Sequence, residues 1–325
     1  MRRGGLIAAL LAAAGIVAVV SATGSAGSRD DVAAPPVTTA TAISSPPIFV
    51  VGPREVRPEI KSAATRFVER VGTYEAPESA EPTARLAAEG YPTDLVEEAR
   101  PILDQAAASA TSEVVYPQYG GLTEATASVL VLVRQRLTRA DTEFTREVLV
   151  DLRLRADPSG WQVTSVIDPA RPAVPPERPG GPTAVGAALL ADPRIRVPEP
   201  TRADITERRL DDLIMRVVQQ LAGLYELEIQ AAVTGHPRTV FPTTRLSNHA
   251  VGRAVDVRAI DGVRVVDLPR DGPVLREFMA EAGRAGATEV GGPITVAGTG
   301  FFTDDVHQDH IHLGITPTKP PAAAR

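Results

Sequence analysis

No cysteine occurs among the 325 residues. Its absence excludes disulfides, iron–sulfur clusters, thiolate zinc fingers and a cysteine nucleophile. A basic excess is missing as well: 34 Lys and Arg stand against 40 Asp and Glu, a net charge of -6. A nucleic-acid partner needs a basic surface to replace the counterions around phosphates, so none is expected. Ser247 lacks the Gly-x-Ser-x-Gly elbow of a serine hydrolase. No Lys-Ser or Lys-Thr pair follows Ala297-Gly298-Thr299-Gly300, which reads as a turn rather than a phosphate loop. Histidine is absent before residue 236, and the five present are His236, His249, His307, His310 and His312.

Arg2 and Arg3 precede an apolar run from Leu6 to Val20, followed by small residues through Ala26. Residues 1–26 therefore read as a signal peptide or an N-terminal membrane anchor, and the chain beyond them as extracytoplasmic, secreted or anchored to the cytoplasmic membrane. With no cysteine after that run, a lipid anchor is excluded. Residues 27–52 are rich in Ala, Pro, Thr, Ser and Val without periodicity, the composition of a disordered tether.

A first domain is expected over 53–168. Ile60, Ala64, Phe67 and Val71 recur at helical spacing up to Gly72, and Leu95, Val96, Ala99, Ile102 and Leu103 suggest further helix around Pro101. Strand patterns follow at Ser128–Val133, Val148–Leu154 and Trp161–Ile167, the last two joined by an Asp157-Pro158-Ser159-Gly160 turn. Helices followed by an antiparallel meander make an α+β layout, which resembles the NTF2-like accessory domains of exported bacterial proteins. The domain contains no histidine, and its acidic residues read as solvated helix faces. Spacing, docking or binding of a cell-envelope partner is the role this leaves.

Residues 169–182, with their prolines and Gly180-Gly181, read as a linker. A second α+β domain is expected over 183–316, with a disordered tail at 317–325. Asp204-Ile205-Thr206-Glu207 has the form of a capping box before an apolar helical face at Leu210, Leu213, Ile214, Val217, Val218 and Leu221. Leu227–Val233 reads as a strand, and Val274, Leu275, Phe278, Met279 and Ala282 as a helix ended by Gly283 or Gly286.

Strand alternation places His310 and His312 on one face while Ile311 and Leu313 point to the core. Gly252 permits a bend after His249, and Asp256 falls on the polar face of the next strand. His249 and Asp256 form a plausible ligand pair, with His310 or His312 as the third. Imidazole and carboxylate together suit zinc, which in catalytic sites keeps three protein ligands and an open position. His236, beside Gly235 and Pro237, reads as a loop or core residue.

Ser247-x-His249-x-x-Gly252-x-Ala254-x-Asp256 followed by His310-x-His312 resembles the zinc peptidases grouped with D-Ala-D-Ala carboxypeptidases, lysostaphin-type endopeptidases and the hedgehog domain. The resemblance covers the second domain only. It implies a hedgehog/D-Ala-D-Ala-peptidase-like fold with an antiparallel sheet and flanking helices, Zn2+ held by His249, Asp256 and His312, Ser247 beside the site and His310 as a second active-site histidine. The glutamate that precedes the last ligand in the carboxypeptidase branch is replaced by Asp309, while His307-x-x-His310-x-His312 resembles the murein endopeptidase branch. The base therefore stays open among His310, Asp309 and His307, with His310 favoured. Arg238, Arg245 and Arg253 are candidates for holding a substrate carboxylate by a forked contact, and Ser247 and Arg245 are the expected substrate-binding residues. The resemblance implies a peptidoglycan peptidase, carboxypeptidase or endopeptidase; the alternative is a catalytically silent, zinc-stabilised cell-envelope binding or scaffold module.

Overall fold

Helix α1, Pro58–Val71, has proline in its first turn, buries Ile60, Ala64, Phe67, Val68 and Val71 along one face, and ends at Gly72 as the spacing predicts. It belongs to a computed structural model that describes residues 48–75, 81–103, 107–140, 142–167 and 180–316. The expected leader, nearly all of the tether, most of the linker and the tail lie outside the described residues. Among the described residues no helix is long and apolar enough to cross a membrane.

Two short helices follow, α2 (Pro82–Ala88) and α3 (Leu95–Glu98). The helix expected around Pro101 stops at Glu98, because a proline two residues after the C-cap disfavours helical backbone before it. Four antiparallel strands then form a sheet in the order β1 (Ser109–Leu122), β2 (Thr126–Arg139), β3 (Thr142–Asp157) and β4 (Gly160–Ile167). The last three were expected. Strand β1 was not: Pro117, Gly120 and Gly121 interrupt it, and irregularities at Val114/Tyr116 and Tyr119/Gly121 break its alternation. As an edge strand it tolerates that proline.

The second half runs α4 (Ala184–Ala191), β5 (Ile195–Arg196), α5 (Glu199–Thr206), α6 (Asp212–Ala222), β6 (Leu227–Ala231), β7 (Ala254–Ile260), β8 (Val263–Arg264), α7 (Pro273–Arg284), β9 (Glu289–Gly291), β10 (Phe301–Phe302) and β11 (Ile311–Gly314). Its sheet has the order β10-β9-β11-β7-β6-β5, with β8 on β7. The fold class is α+β, as expected, but the second sheet is mixed rather than antiparallel, with β5 parallel to β6 and β10 parallel to β9. The expected capping box does not open a helix. Pro200 starts α5 earlier, and the buried Asp204 near its end accepts bonds from Val233 N (3.0 Å), Thr234 N (2.8 Å) and Thr234 Oγ1 (2.6 Å). Helix α6 is capped by Asp211 instead, which leaves Leu213 exposed.

Strand β2 is apolar on both faces because both are covered. Val129, Val131 and Val133 join the core under α1, whereas Leu130 and Leu132 meet Leu149 of β3 and Ala231 of β6 in a cluster shared with the second half. Gln230 of β6 donates from Nε2 to Tyr116 O at 3.0 Å, and a side chain at Gly121 would collide with Phe241. The described residues all fall in one compact unit. Leu149→Ala is expected to cost about 2–5 kcal/mol, the range for truncating a buried leucine that cannot fully collapse. Urea unfolding followed by circular dichroism and by Trp161 fluorescence should shift together in that variant; separate transitions for the two signals would contradict the shared core.

Candidate metal centre

Strands β7 and β11 pair with Asp256 directly opposite His312. Ile311 and Leu313 alternate into the core, so His310 and His312 emerge on the other face. Next to them, a single turn of 3₁₀ helix, His249–Val251, ends at Gly252 in left-handed conformation (φ 71°) and swings His249 over the same face. A Cβ at residue 252 would run into the Arg209 carbonyl, which makes glycine necessary there.

Three atoms converge. His249 Nε2 lies 3.1 Å from His312 Nδ1, and each lies 3.2 Å from Asp256 Oδ1. A tetrahedral ion with nitrogen and oxygen ligands at 2.0–2.1 Å has ligand-to-ligand edges of about 3.3 Å, so this near-equilateral triangle fits one face of such a site. A second grouping of His236, His249 and Asp256 can also hold a metal ion. His236 stacks on His249 with ring centres 3.6 Å apart and reaches the other Asp256 oxygen, Oδ2, at 3.8 Å. We favour the triangle with His312, because its three atoms close on a single point while Asp256 Oδ2 is already taken by Gln118 Nε2 at 2.6 Å.

Four of the five histidines have a hydrogen-bond partner behind the site at Nδ1. His249 Nδ1–H donates to Ala232 O at 2.6 Å and His236 Nδ1–H to Pro237 O at 3.0 Å, contacts that leave both Nε2 lone pairs free. His310 Nδ1 meets Asp309 Oδ1 at 2.5 Å, and His307 Nδ1 meets Asp304 Oδ1 at 2.7 Å. His312 turns Nε2 to Glu289 Oε2 at 3.8 Å, and Glu289 is steadied by Asn248 Nδ2 (2.8 Å) and Thr316 Oγ1 (2.6 Å). Such rear partners set the tautomer and ring orientation of metal-binding histidines.

Burial works against the Asp256 carboxylate, yet the imidazoles of His249 and His310 hold it well below the usual range. Burial likewise disfavours the His312 imidazolium, but Asp256 and Glu289 outweigh it and lift His312 to about 9. The His312 imidazole, with Thr316 and Asn248, lowers Glu289 to about 2. His307 overcomes the burial of Asp304 and brings it to about 2, while burial pushes His236 and His307 themselves down.

The centre floors a cleft of about 470 Å³ lined by His307, His310, Phe241, Phe301, Phe302 and Arg245. A larger groove, about 970 Å³, runs along α1 and α2 and holds no histidine. The structure thus brings together His249, Asp256, His312, His310 and His307, with exposed Arg245 at the rim. Arg253 and Arg238 do not line the cleft. Buried Ser247 accepts a bond from His249 N at 3.2 Å and braces that residue. Asp309 lies just before β11, and its carboxylate sits behind His310. His236, expected as an isolated loop or core residue, is at the centre. The first half, expected to carry no chemistry, supplies Gln118 and, behind Asp309, Lys61.

Comparison of the chain with family models, curated proteins and solved structures gave no match.

His312→Ala is expected to abolish tight divalent-metal binding, whereas His236→Ala weakens it by no more than about 10–100-fold, the scale of a supporting residue. Chelator competition checks this; the reverse order would place the ion on the His236 grouping. A second expectation concerns the metal-free protein. The contribution of His312, raised from 6.5 to about 9, is complete below pH 6.5 and is lost as pH rises through about 9. Those of His236 and His307, whose folded values lie under 6.5, are complete above pH 6.5 and lost as pH falls. Urea midpoints of EDTA-treated protein should therefore peak near pH 6.5 as far as these groups decide it. A midpoint climbing steadily from about pH 6.5 to about pH 9 would contradict the assignment.

Proposed function

We propose that the chain is an exported zinc-dependent peptidase acting on the peptide stems or cross-links of peptidoglycan, as a carboxypeptidase or an endopeptidase. The observation that carries the reading is the triangle of His249 Nε2, Asp256 Oδ1 and His312 Nδ1 at the floor of a cleft that also holds two further histidines. His249, Asp256 and His312 would hold zinc with two imidazoles and one carboxylate, a ligand set that suits it. Zinc held there would supply Lewis acidity, the chemistry that activates water and a scissile carbonyl in zinc hydrolases.

The chain's own residues account for the rest. His310 keeps Nδ1 against Asp309, so Nε2 is the atom that takes a proton from the attacking water and returns it to the leaving amine. That Nε2 lies 3.8 Å from Asp256 Oδ1, at the edge of the triangle. Asp309 is unsuited to be the base, because both its oxygens are committed: Oδ1 to His310, Oδ2 to Lys61 Nζ and Tyr119 N. His307, its ring centre 4.9 Å from that of His310, flanks the same space with Nδ1 held by Asp304. Phe241, Phe301 and Phe302 wall the cleft and limit water. Arg245 at the rim has the forked donors that suit a substrate carboxylate.

Export rests on the basic and apolar pattern of residues 1–26. Together with this chemistry it points to a peptide of the cell envelope as substrate.

Mass spectrometry of peptidoglycan fragments incubated with the zinc-loaded protein should reveal new peptide products, absent with His312→Ala, whose masses identify the bond. His310→Ala should lose at least about 10²-fold in rate with zinc retained, the usual contribution of a positioned acid–base group. Full zinc occupancy without any product would contradict the peptidase reading and favour a zinc-stabilised binding or scaffold module.

A further inference from the structure

The helix and sheet of the first half reach into the centre with two buried polar side chains, Lys61 of α1 and Gln118 of β1. Both are fully buried. We infer that they are positioning residues of the site: Lys61 orients His310 through Asp309, and Gln118 orients Asp256. The inference rests on the metal-peptidase reading and gives Lys61 and Gln118 a positioning role in it.

Asp309 is the link between Lys61 and the base. Its Oδ2 accepts from Lys61 Nζ at 2.6 Å and from Tyr119 N at 3.0 Å, two donors on different elements. With that oxygen pinned, the carboxylate cannot rotate, and Oδ1 must face His310 Nδ1. The imidazole is thereby held in one tautomer and one orientation, with Nε2 toward the triangle. Asp309 is only 1% exposed, so its charge needs a buried counter-charge. Lys61 is that charge, set between the rings of Tyr116 and Tyr119 at 5.0 and 4.9 Å and paired also with Glu55. Glu55 is in turn held by Tyr116 OH at 2.9 Å. The turn bearing His307 leans on the same half, where Val306 packs against the core under α1.

Gln118 acts on a metal ligand directly. Its Nε2 donates to Asp256 Oδ2 at 2.6 Å, leaving Oδ1 to meet His249 and His312. A neutral amide fixes the carboxylate without neutralising it, whereas a lysine or arginine there would compete with a cation for its charge. Both contacts come from strand β1 or the helix packed beside it, so the centre is complete only when the two halves are joined.

A purely structural interlock would predict something different. Removing one partner of a buried ion pair destabilises a fold whatever the pair's role, so an interlock without a positioning role predicts lower thermal stability alone. The test uses the full chain. Zinc affinity is measured by chelator competition, kcat and KM on the peptidoglycan fragments, and folding by circular dichroism and thermal melting, for wild type, Gln118→Ala, Lys61→Met and Asp309→Asn. Gln118→Ala should weaken zinc binding by about 10–100-fold. Lys61→Met and Asp309→Asn should lower kcat by about 10²-fold, the scale of a small misplacement of a reacting group, while KM and zinc affinity stay near wild type. Asp309→Asn retains the buried volume and serves where Lys61→Met fails to fold, as Gln118→Asn serves for Gln118→Ala. Folded variants with wild-type zinc affinity and wild-type kcat would overturn this inference alone. A wild-type chain that binds no zinc would overturn the metal reading and this inference with it.

Discussion

Asp256 and His312 face each other across the antiparallel pair of β7 and β11, and the histidine centre depends on that register. Side chains alternate along a strand, so a slip of one residue would turn His312 into the core and bring Ile311 or Leu313 out. The hydrophobic partners prevent the slip: Ile311, Leu313, Val255 and Val257 are at most 2% exposed and lock the pairing from the opposite face. The apolar pattern of two short strands thus fixes the separation of a carboxylate and an imidazole to 3.2 Å. His249 joins them because Gly252 can take a backbone conformation that other residues resist.

The rest of the structure supplies what that pair lacks. A buried carboxylate surrounded by imidazoles needs its second oxygen satisfied and its neighbours oriented. Glu289 and the Ala232 carbonyl do this from the second half, Gln118 and the Lys61–Asp309 pair from the first. The apolar contact of Leu130, Leu132 and Leu149 with Ala231 holds these polar groups in reach of each other. Hydrophobic packing carries the stability of this arrangement, and the polar contacts carry its geometry.

Much of this was legible in the sequence where periodicity is unbroken. Helix α1, the β3–β4 hairpin and the alternation through Ile311–Leu313 follow their patterns, and with them the faces of His310, His312 and Asp256. Strand β1 was not legible, since its bulges and its Pro and Gly residues disrupt the period of two. Gln118 and Lys61 were hidden for a further reason. A glutamine in a strand and a lysine in a helix have solvent as their ordinary surroundings, and only tertiary packing shows that both are buried. His236 gave a weak signal as the fifth histidine in the same third of the chain, but a lone imidazole between Gly235 and Pro237 has no periodic neighbour to orient it. The capping-box pattern at Asp204 was misleading because Pro200 is a stronger helix start and because a buried loop at Val233 and Thr234 offered the carboxylate better donors.

Anomalous diffraction at the zinc absorption edge, on crystals of the protein grown with zinc, tests the central claim most directly. The account predicts one peak bonded to His249 Nε2, Asp256 Oδ1 and His312 Nδ1 at about 2.0–2.2 Å, with Gln118 still on Asp256 Oδ2. A peak bonded to His236 in place of His312, or no peak at the triangle in zinc-saturated crystals, would contradict it.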